Sequence, residues 1–299
     1  LGIQFGSDNA NPMYTAENLY INGELLQGEI IIPDGAEKIG DYAFYNCSGL
    51  TSVTIPDSVT NIGESAFKYC EGLADVYYQG DLSGWLGIEF GDYDANPMYY
   101  ADNLYINGVL LHGDIVIPDG TTKIGDYVFY GCDVTDVYYQ GDINSWLKID
   151  MGEPYSDPMK YADNLHIADM PEDGVVVIED GITEIRDYAL KGLKELKGIT
   201  IPDSVTSIGK EAFSGCINLT SITIPDSVEV IGSSAFDGCE LEIIENADGV
   251  SYLDGRVIDC DTSLTQVVLR DGTTSIAGSA FSGCDALVSI VIPDGVTSI

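Results

Sequence analysis

Positive charge is what this sequence has least of. Twelve Lys and Arg stand against forty-nine Asp and Glu in 299 residues, a formal net charge of −37. A phosphate backbone is held by a cationic footprint, so nucleic acid is excluded as a partner. Histidine occurs only twice, at His112 and His166, in unrelated local contexts. A Ser-His-Asp or Cys-His set needs one of them beside an activated nucleophile, and neither lies in such a motif. No catalytic residue is assigned and no enzyme activity is expected. The paired Cys or His spacings that bind zinc are missing, and no metal or cofactor is expected. No apolar run approaches the roughly 18 residues of a helical membrane span, so no membrane insertion is expected of this segment. Signal-peptide and lipidation motifs are missing as well. What is plentiful is Gly, at 34 residues, and apolar residues, at 45 % of the chain. A disordered acidic tail would lack that much Ile, Val, Leu and Tyr, so the chain folds.

Self-similarity decides the architecture. Ile55-Pro56-Asp57-Ser58-Val59-Thr60-Asn61-Ile62-Gly63 returns at 201–209 and 224–232, with related copies elsewhere. The position of Pro56 is held in turn by Pro33, Pro56, Pro118, Glu179, Pro202, Pro225, Arg270 and Pro293, at intervals of 23, 62, 61, 23, 23, 45 and 23 residues. A 23-residue unit interrupted by longer variants is a solenoid. Alternation in Ser221-Ile222-Thr223-Ile224 predicts a half-buried strand, which Pro-Asp then stops. Val228 and Ile231 turn back inward, and Ala235-Phe236 is expected on a short helical turn across the outer face. One such coil cannot bury its own apolar edge, so stacked neighbours must supply the core.

The longer variants, near 76–117, 137–178 and 240–269, are related to one another. Val76–Asp81 returns as Val137–Asp142, and Trp85-Leu86 as Trp146-Leu147. Asn96–Leu104 matches 11–19 and, more loosely, Asp157–Leu165. Asn22-Gly23 and Asn107-Gly108 predict tight type I′ hairpins, and Asp254-Gly255 a similar one. These inserts are expected to project from one solenoid domain covering 1–299. Leu1–Gly6 matches the mid-unit stretch 86–91, and 296–299 stops short of the next Gly, so the chain is expected to be a segment of a longer protein.

The run Ile-Pro-Asp-Ser-Val-Thr-Ser-Ile-Gly-Lys-Glu-Ala-Phe-Ser-Gly-Cys at 201–216 resembles the BspA-like, Treponema-type leucine-rich repeats of bacterial surface proteins. The Tyr-Tyr-Gln-Gly and Asn-Pro-Met-Tyr-Tyr variants resemble units of such proteins in gut-dwelling bacteria. The resemblance covers essentially the whole chain. It implies a leucine-rich-repeat solenoid with a curved parallel sheet on its concave side and short helical turns on its convex side. It further implies a place at the cell surface or outside the cell, with adhesion or protein recognition as the role. It brings no catalytic residue.

Three recurring features carry two readings each. Six of the seven cysteines, Cys47, Cys70, Cys132, Cys216, Cys239 and Cys284, fall three residues after the aromatic of the repeat; Cys260 stands apart. They are either small apolar fillers, as Leu193 in the same slot suggests, or a disulfide ladder. An Asp follows the Pro slot in all eight units, either as a turn residue satisfying backbone donors or as a cation ladder. Asp92-Tyr-Asp94-Ala-Asn96 begins like a calcium loop, but Pro97 stands where that loop needs Gly and Asn103 where it needs Glu.

If Ile222 and Ile224 face the core, the intervening residues face out. One outward column then reads Ile31, Thr54, Tyr77, Val116, Tyr138, Val177, Thr200, Thr223, Val268 and Val291. Its neighbour contains Asp75, Asp114 and Asp136. Tyr77, Val116, Tyr138 and Val177, bordered by those three carboxylates, form the candidate ligand-binding stripe. The opposing reading is that β-branched and aromatic residues serve the strands alone. About eleven strands at roughly 4.8 Å would make a sheet on the order of 50 Å long. The expected partner is a protein, such as a host extracellular-matrix or cell-surface protein. The second functional reading is a spacer with no ligand of its own.

Overall fold

Each coil begins with a strand whose alternation sorts its side chains between core and solvent. The computed structural model describes residues 20–21, 24–152, 155–225, 227–241, 244–253, 255–278 and 280–297. The chain is a parallel-strand β-solenoid of about eleven turns with few helices. It divides into two compact units, one of 1–137 with 149–162, the other of 138–148 with 163–299.

In the first unit the strands Gly28–Ile31, Leu50–Ile55, Asp75–Tyr78 and Asn103–Ile106 lie parallel and in chain order, with Glu29, Ser52 and Asp75 in one register row. A second parallel ladder runs through Lys38–Ile39, Asn61–Ile62 and Glu89–Phe90. One coil shows how the core forms. Val53, Ile55, Val59, Ile62, Ala66, Phe67 and Cys70 are all 0–1 % exposed. The next coil repeats the layer, so like stacks on like: Phe44 and Phe67 lie 5.2 Å apart and nearly parallel. Burying one such ring contributes about 2–3 kcal/mol. In the second unit Val175–Val177, Gly198–Thr200 and Ser221–Thr223 form the sheet, Glu184–Ile185, Ser207–Ile208 and Val230–Ile231 the second ladder, and Phe213 stacks on Phe236 at 5.4 Å.

The outer side is built from successive tight turns closed by i to i+3 bonds, such as Ala66 N–H to Gly63 O and Cys70 N–H to Phe67 O. Tyr42, Ser65, Tyr127, Tyr188, Glu211 and Ser234 take left-handed conformations there, each at a cost of about 1–2 kcal/mol. What offsets it is a ladder between coils: the amides of Tyr42, Phe44 and Asn46 donate to the carbonyls of Glu64, Ala66 and Lys68. The pattern returns at Tyr188, Leu190 and Gly192. These turns stand where short helical turns were expected.

The two α-helices among the described residues lie in the long variants. α1 (Leu82–Leu86) and α2 (Ile143–Leu147) are capped by the Asp81 and Asp142 side chains, which accept from the Gly84 and Ser145 amides. Their tryptophans, Trp85 and Trp146, are fully buried and donate to the Val128 and Ala189 carbonyls.

Asn107 and Gly108 have φ of 48° and 78°, the two left-handed positions of a type I′ turn, and Ile106 pairs with Val109. Ile21 pairs with Glu24, while Asn22-Gly23 lies outside the described residues. Leu253 pairs with Arg256 in a third hairpin, of which Asp254 lies outside the described residues. Ala247 pairs with Val250 across Asp248-Gly249, a fourth hairpin not anticipated from the sequence. The matches of Leu1–Gly6 and 11–19 also lie outside the described residues.

Candidate functional site

Strand alternation aims the candidate residues at solvent. Val76 and Tyr78 are buried while Tyr77 between them is half-buried; Ile115 and Ile117 are buried while Val116 is exposed. Tyr138 and Val177 face out in the same way, Tyr138 between Val137 and Tyr139, and Val177 between Val176 and Ile178.

In the first unit, Tyr77 is joined in register by Tyr105, on the strand Asn103–Ile106, and not directly by Val116 as the column predicted. The reason is that the first arm of the hairpin insert adds a strand to the sheet instead of projecting from it. The two rings stack with centroids 4.7 Å apart and planes 16° apart. One row over, the Asn103 side-chain amide donates to Asp75 Oδ1 at 2.9 Å. Glu29, Ser52, Thr54 and Tyr77 line a shallow hollow of about 520 Å³, which the hairpin tip Asn107-Gly108 closes at one side. Desolvation, with Asp75, Tyr105 and Glu29 nearby, raises the Tyr77 phenol above its ordinary value. Asp114 is exposed and accepts from Thr135 Oγ1 at 3.3 Å; Asp136 is half-buried.

The second unit repeats the motif with a different aromatic. Tyr138 stacks on His166 with centroids 4.4 Å apart, and His166 Nδ1 lies 3.3 Å from Glu195 Oε1. Val177 stands out from the sheet, and its carbonyl accepts from the Asn144 side chain at 3.4 Å. Tyr105 and His166 were not among the sequence candidates. The signal was present: Asp75-Val-Tyr-Tyr, Asn103-Leu-Tyr-Ile and Asn164-Leu-His-Ile share one polar–apolar–aromatic–apolar pattern.

The other recurring residues are absorbed by the scaffold. All seven cysteines are free thiols. Cys70, Cys216 and Cys239 donate to the carbonyls of Phe44, Leu190 and Phe213 at 3.0–3.2 Å, and burial pushes Cys47, Cys132 and Cys239 up to about 12. The turn after the Pro slot is closed by backbone bonds such as Val59 N–H to Pro56 O. Ser58 then stitches it to the previous coil, accepting from Gly35 N–H and donating to Ala36 O. Ser204 repeats this with Gly181 and Ile182. Of the slot's described aspartates only Asp119 accepts a backbone bond, from Gly120, so serine does the work expected of aspartate; Asp226 lies outside the described residues. In the calcium-like stretch, Asp92 accepts from Ser65, buried Asp94 pairs with Lys68 at 3.2 Å, and buried Asn96 bonds Met98 and Tyr127. Of the stretches parallel to it, 7–11 and Glu153 lie outside the described residues. Among the described residues, no three His, Cys, Asp or Glu side chains gather into a metal site, and no helix is long and apolar enough to cross a membrane. His112, on the surface, lies 3.1 Å from Asp133.

The chain is similar in fold to a leucine-rich cell surface protein of Faecalibacterium prausnitzii A2-165, at 23 % identity over 88 % of this chain and 87 % of that one, with a TM-score of 0.41. A leucine-rich repeat protein of Eubacterium ventriosum is 19 % identical over 89 % of this chain and 72 % of its own, with a TM-score of 0.37. The leucine-rich repeat protein of T. pallidum is 18 % identical over 96 % and 85 %, with a TM-score of 0.21. No curated protein matches. The profile of the BspA type leucine rich repeat region matches in six copies at 18–84, 109–147 and 183–299. These six copies cover more than half of the chain, which belongs to the BspA-type leucine-rich repeat family.

Proposed function

We propose that this chain is a non-enzymatic protein-recognition module of a secreted or cell-surface bacterial protein, working through the outward face of its sheets. The observation that carries the reading is the solvent-facing aromatic pair of each unit, Tyr77 on Tyr105 and Tyr138 on His166. Stacked rings give large, rigid, amphipathic contact area with little conformational entropy left to lose. Val116 and Val177, at 48 % and 66 % exposed, present further outward apolar area on the strands of their own sheets. Asp75, Asp114 and Asp136 border it and favour a partner with basic or amphipathic surface. A host extracellular-matrix or epithelial surface protein has the size and chemistry to cover such a face. Membership of a repeat family whose parallel sheets present open surfaces supports recognition by area over chemistry in a cleft.

The test is binding of the chain to a panel of matrix and epithelial surface proteins. Saturable binding is expected, with an on-rate that falls when salt is raised and when Asp75, Asp114 and Asp136 are changed together to Asn. Silence across the panel would overturn the proposal and leave the spacer reading.

A further inference from the structure

The first unit carries a second aromatic surface, on its turn side, that the sheet face does not use. Tyr69, Tyr93, Tyr99 and Tyr155 are each 40–46 % exposed. They are joined into one strip. The Tyr69 amide donates to the Tyr100 hydroxyl at 2.8 Å, and Tyr100 meets Tyr99 edge-on at 4.8 Å. Tyr99 touches Tyr93 at 5.5 Å and stacks on Tyr130 at 5.4 Å, and Tyr130 reaches Tyr155 at 6.1 Å. A core does not need exposed rings, and single exposed tyrosines do not align across three coils by strand preference, since none of these residues is in a strand.

Two observations say what such a strip would hold. The first is charge. The segments that carry it, 63–72, 91–102, 125–133 and 155–162, contain eight Asp and Glu, of which Asp94 and Asp157 are buried, against Lys68 and Lys160 alone. The second is what the rings already do. Lys160 Nζ sits 3.5 Å from the centroid of Tyr155, and Lys68 Nζ 5.5 Å from that of Tyr69. Across the molecule six of the twelve Lys and Arg lie over an aromatic ring. The faces of these rings are electron-rich, and an acidic surround raises the local concentration of cations over them.

We infer that the tyrosine strip on the turn side of the first unit is a second docking surface, for an arginine- or lysine-rich peptide segment. Guanidinium groups pack on the exposed parts of these rings while the exposed carboxylates around them hold the remaining charge.

The test is fluorescence-anisotropy titration of the whole chain with nona-arginine at about 150 mM salt, where long-range attraction is screened beyond about 8 Å. Saturable binding is expected, weakened about tenfold or more in the Tyr93→Leu/Tyr99→Leu/Tyr155→Leu variant, whose net charge is unaltered. Tyr155→Leu alone, a surface change, serves if the triple variant does not fold, and should weaken binding several-fold. Binding should be unchanged in Tyr77→Ser/Tyr138→Ser, which separates this surface from the sheet face. The inference is overturned by failure to bind, by equal affinity in the tyrosine variants, which would make the attraction one of bulk charge, or by loss only in the sheet-face variant. Tyrosine-dependent binding of a neutral glycan in place of the peptide would overturn it too, by assigning the strip to another class of partner.

Discussion

Gly63 shows how far a single residue in this fold answers to the coil beside it. A side chain there would place its Cβ 2.6 Å from the backbone nitrogen of Asp41 and 2.1 Å from Asp41 Oδ1, closer than any packed Cβ lies. The close approach is what lets Asp41 accept from the Glu64 amide at 3.1 Å and Gly63 N–H reach Ile39 O at 2.9 Å. Gly63→Ala is therefore expected to cost about 2–3 kcal/mol, the size of an overpacked core, read as a lower urea midpoint. An unchanged midpoint would mean that adjacent coils separate easily at this seam. The inward slots were legible in the sequence because the same burial requirement returns every 23 residues: Ile62, Ala66 and Phe67 are all fully buried. The tyrosine strip was not. Its members occupy different repeat positions, Tyr69 beside Cys70 and Tyr99 after Met98, and only the stacking of unlike coils brings them together.

At the scale of elements, the long variants are where prediction and structure part. Asn107-Gly108 announced its hairpin through local chemistry alone, two left-handed positions that Asn and Gly tolerate. The same strong signal hid the fact that Asn103–Ile106 is also a strand of the main sheet, because pairing with Asp75–Tyr78 is a long-range choice that no local pattern fixes. The left-handed positions within the outer turns were not read, for a related reason: the ladder that holds Tyr42 and Ser65 left-handed lies between coils. α1 buries Trp85 and Leu86. Trp85 meets Tyr78 and Phe90 edge-on at 5.6 and 5.7 Å and gives its indole N–H to Val128 O. Trp85→Phe keeps most of the ring contact and strands a buried carbonyl. A loss of about 2 kcal/mol is expected from urea unfolding followed by circular dichroism, and no loss would show that the helix is only laid on the solenoid.

At the scale of the whole molecule, buried thiols and phenols set a limit on the alkaline side. Burial pushes Cys47, Cys132 and Cys239 from 9.0 to about 12, and Tyr78 and Tyr161 from 10.0 to about 12. Above pH 9.0 for the thiols and 10.0 for the phenols, the unfolded chain gives up these protons while the folded chain keeps them. The folded state then binds more protons, so stability falls as pH rises from about 9 toward 12 and is indifferent to these groups below 9. Urea midpoints measured across that range should decline with increasing slope; a flat profile would mean that solvent reaches the stacked cysteine slots.

If the outward sheet aromatics touch a protein partner, removing them abolishes binding and leaves the fold intact. The chain and its Tyr77→Ser/Tyr138→Ser form are titrated by surface plasmon resonance against whichever matrix or epithelial protein the unaltered chain binds, with the melting temperature of both recorded. Binding is expected to be lost while melting is unchanged, because Tyr77 and Tyr138 face solvent and the core residues beside them, Val76 and Val137, are untouched. Equal affinity in the two forms would contradict it.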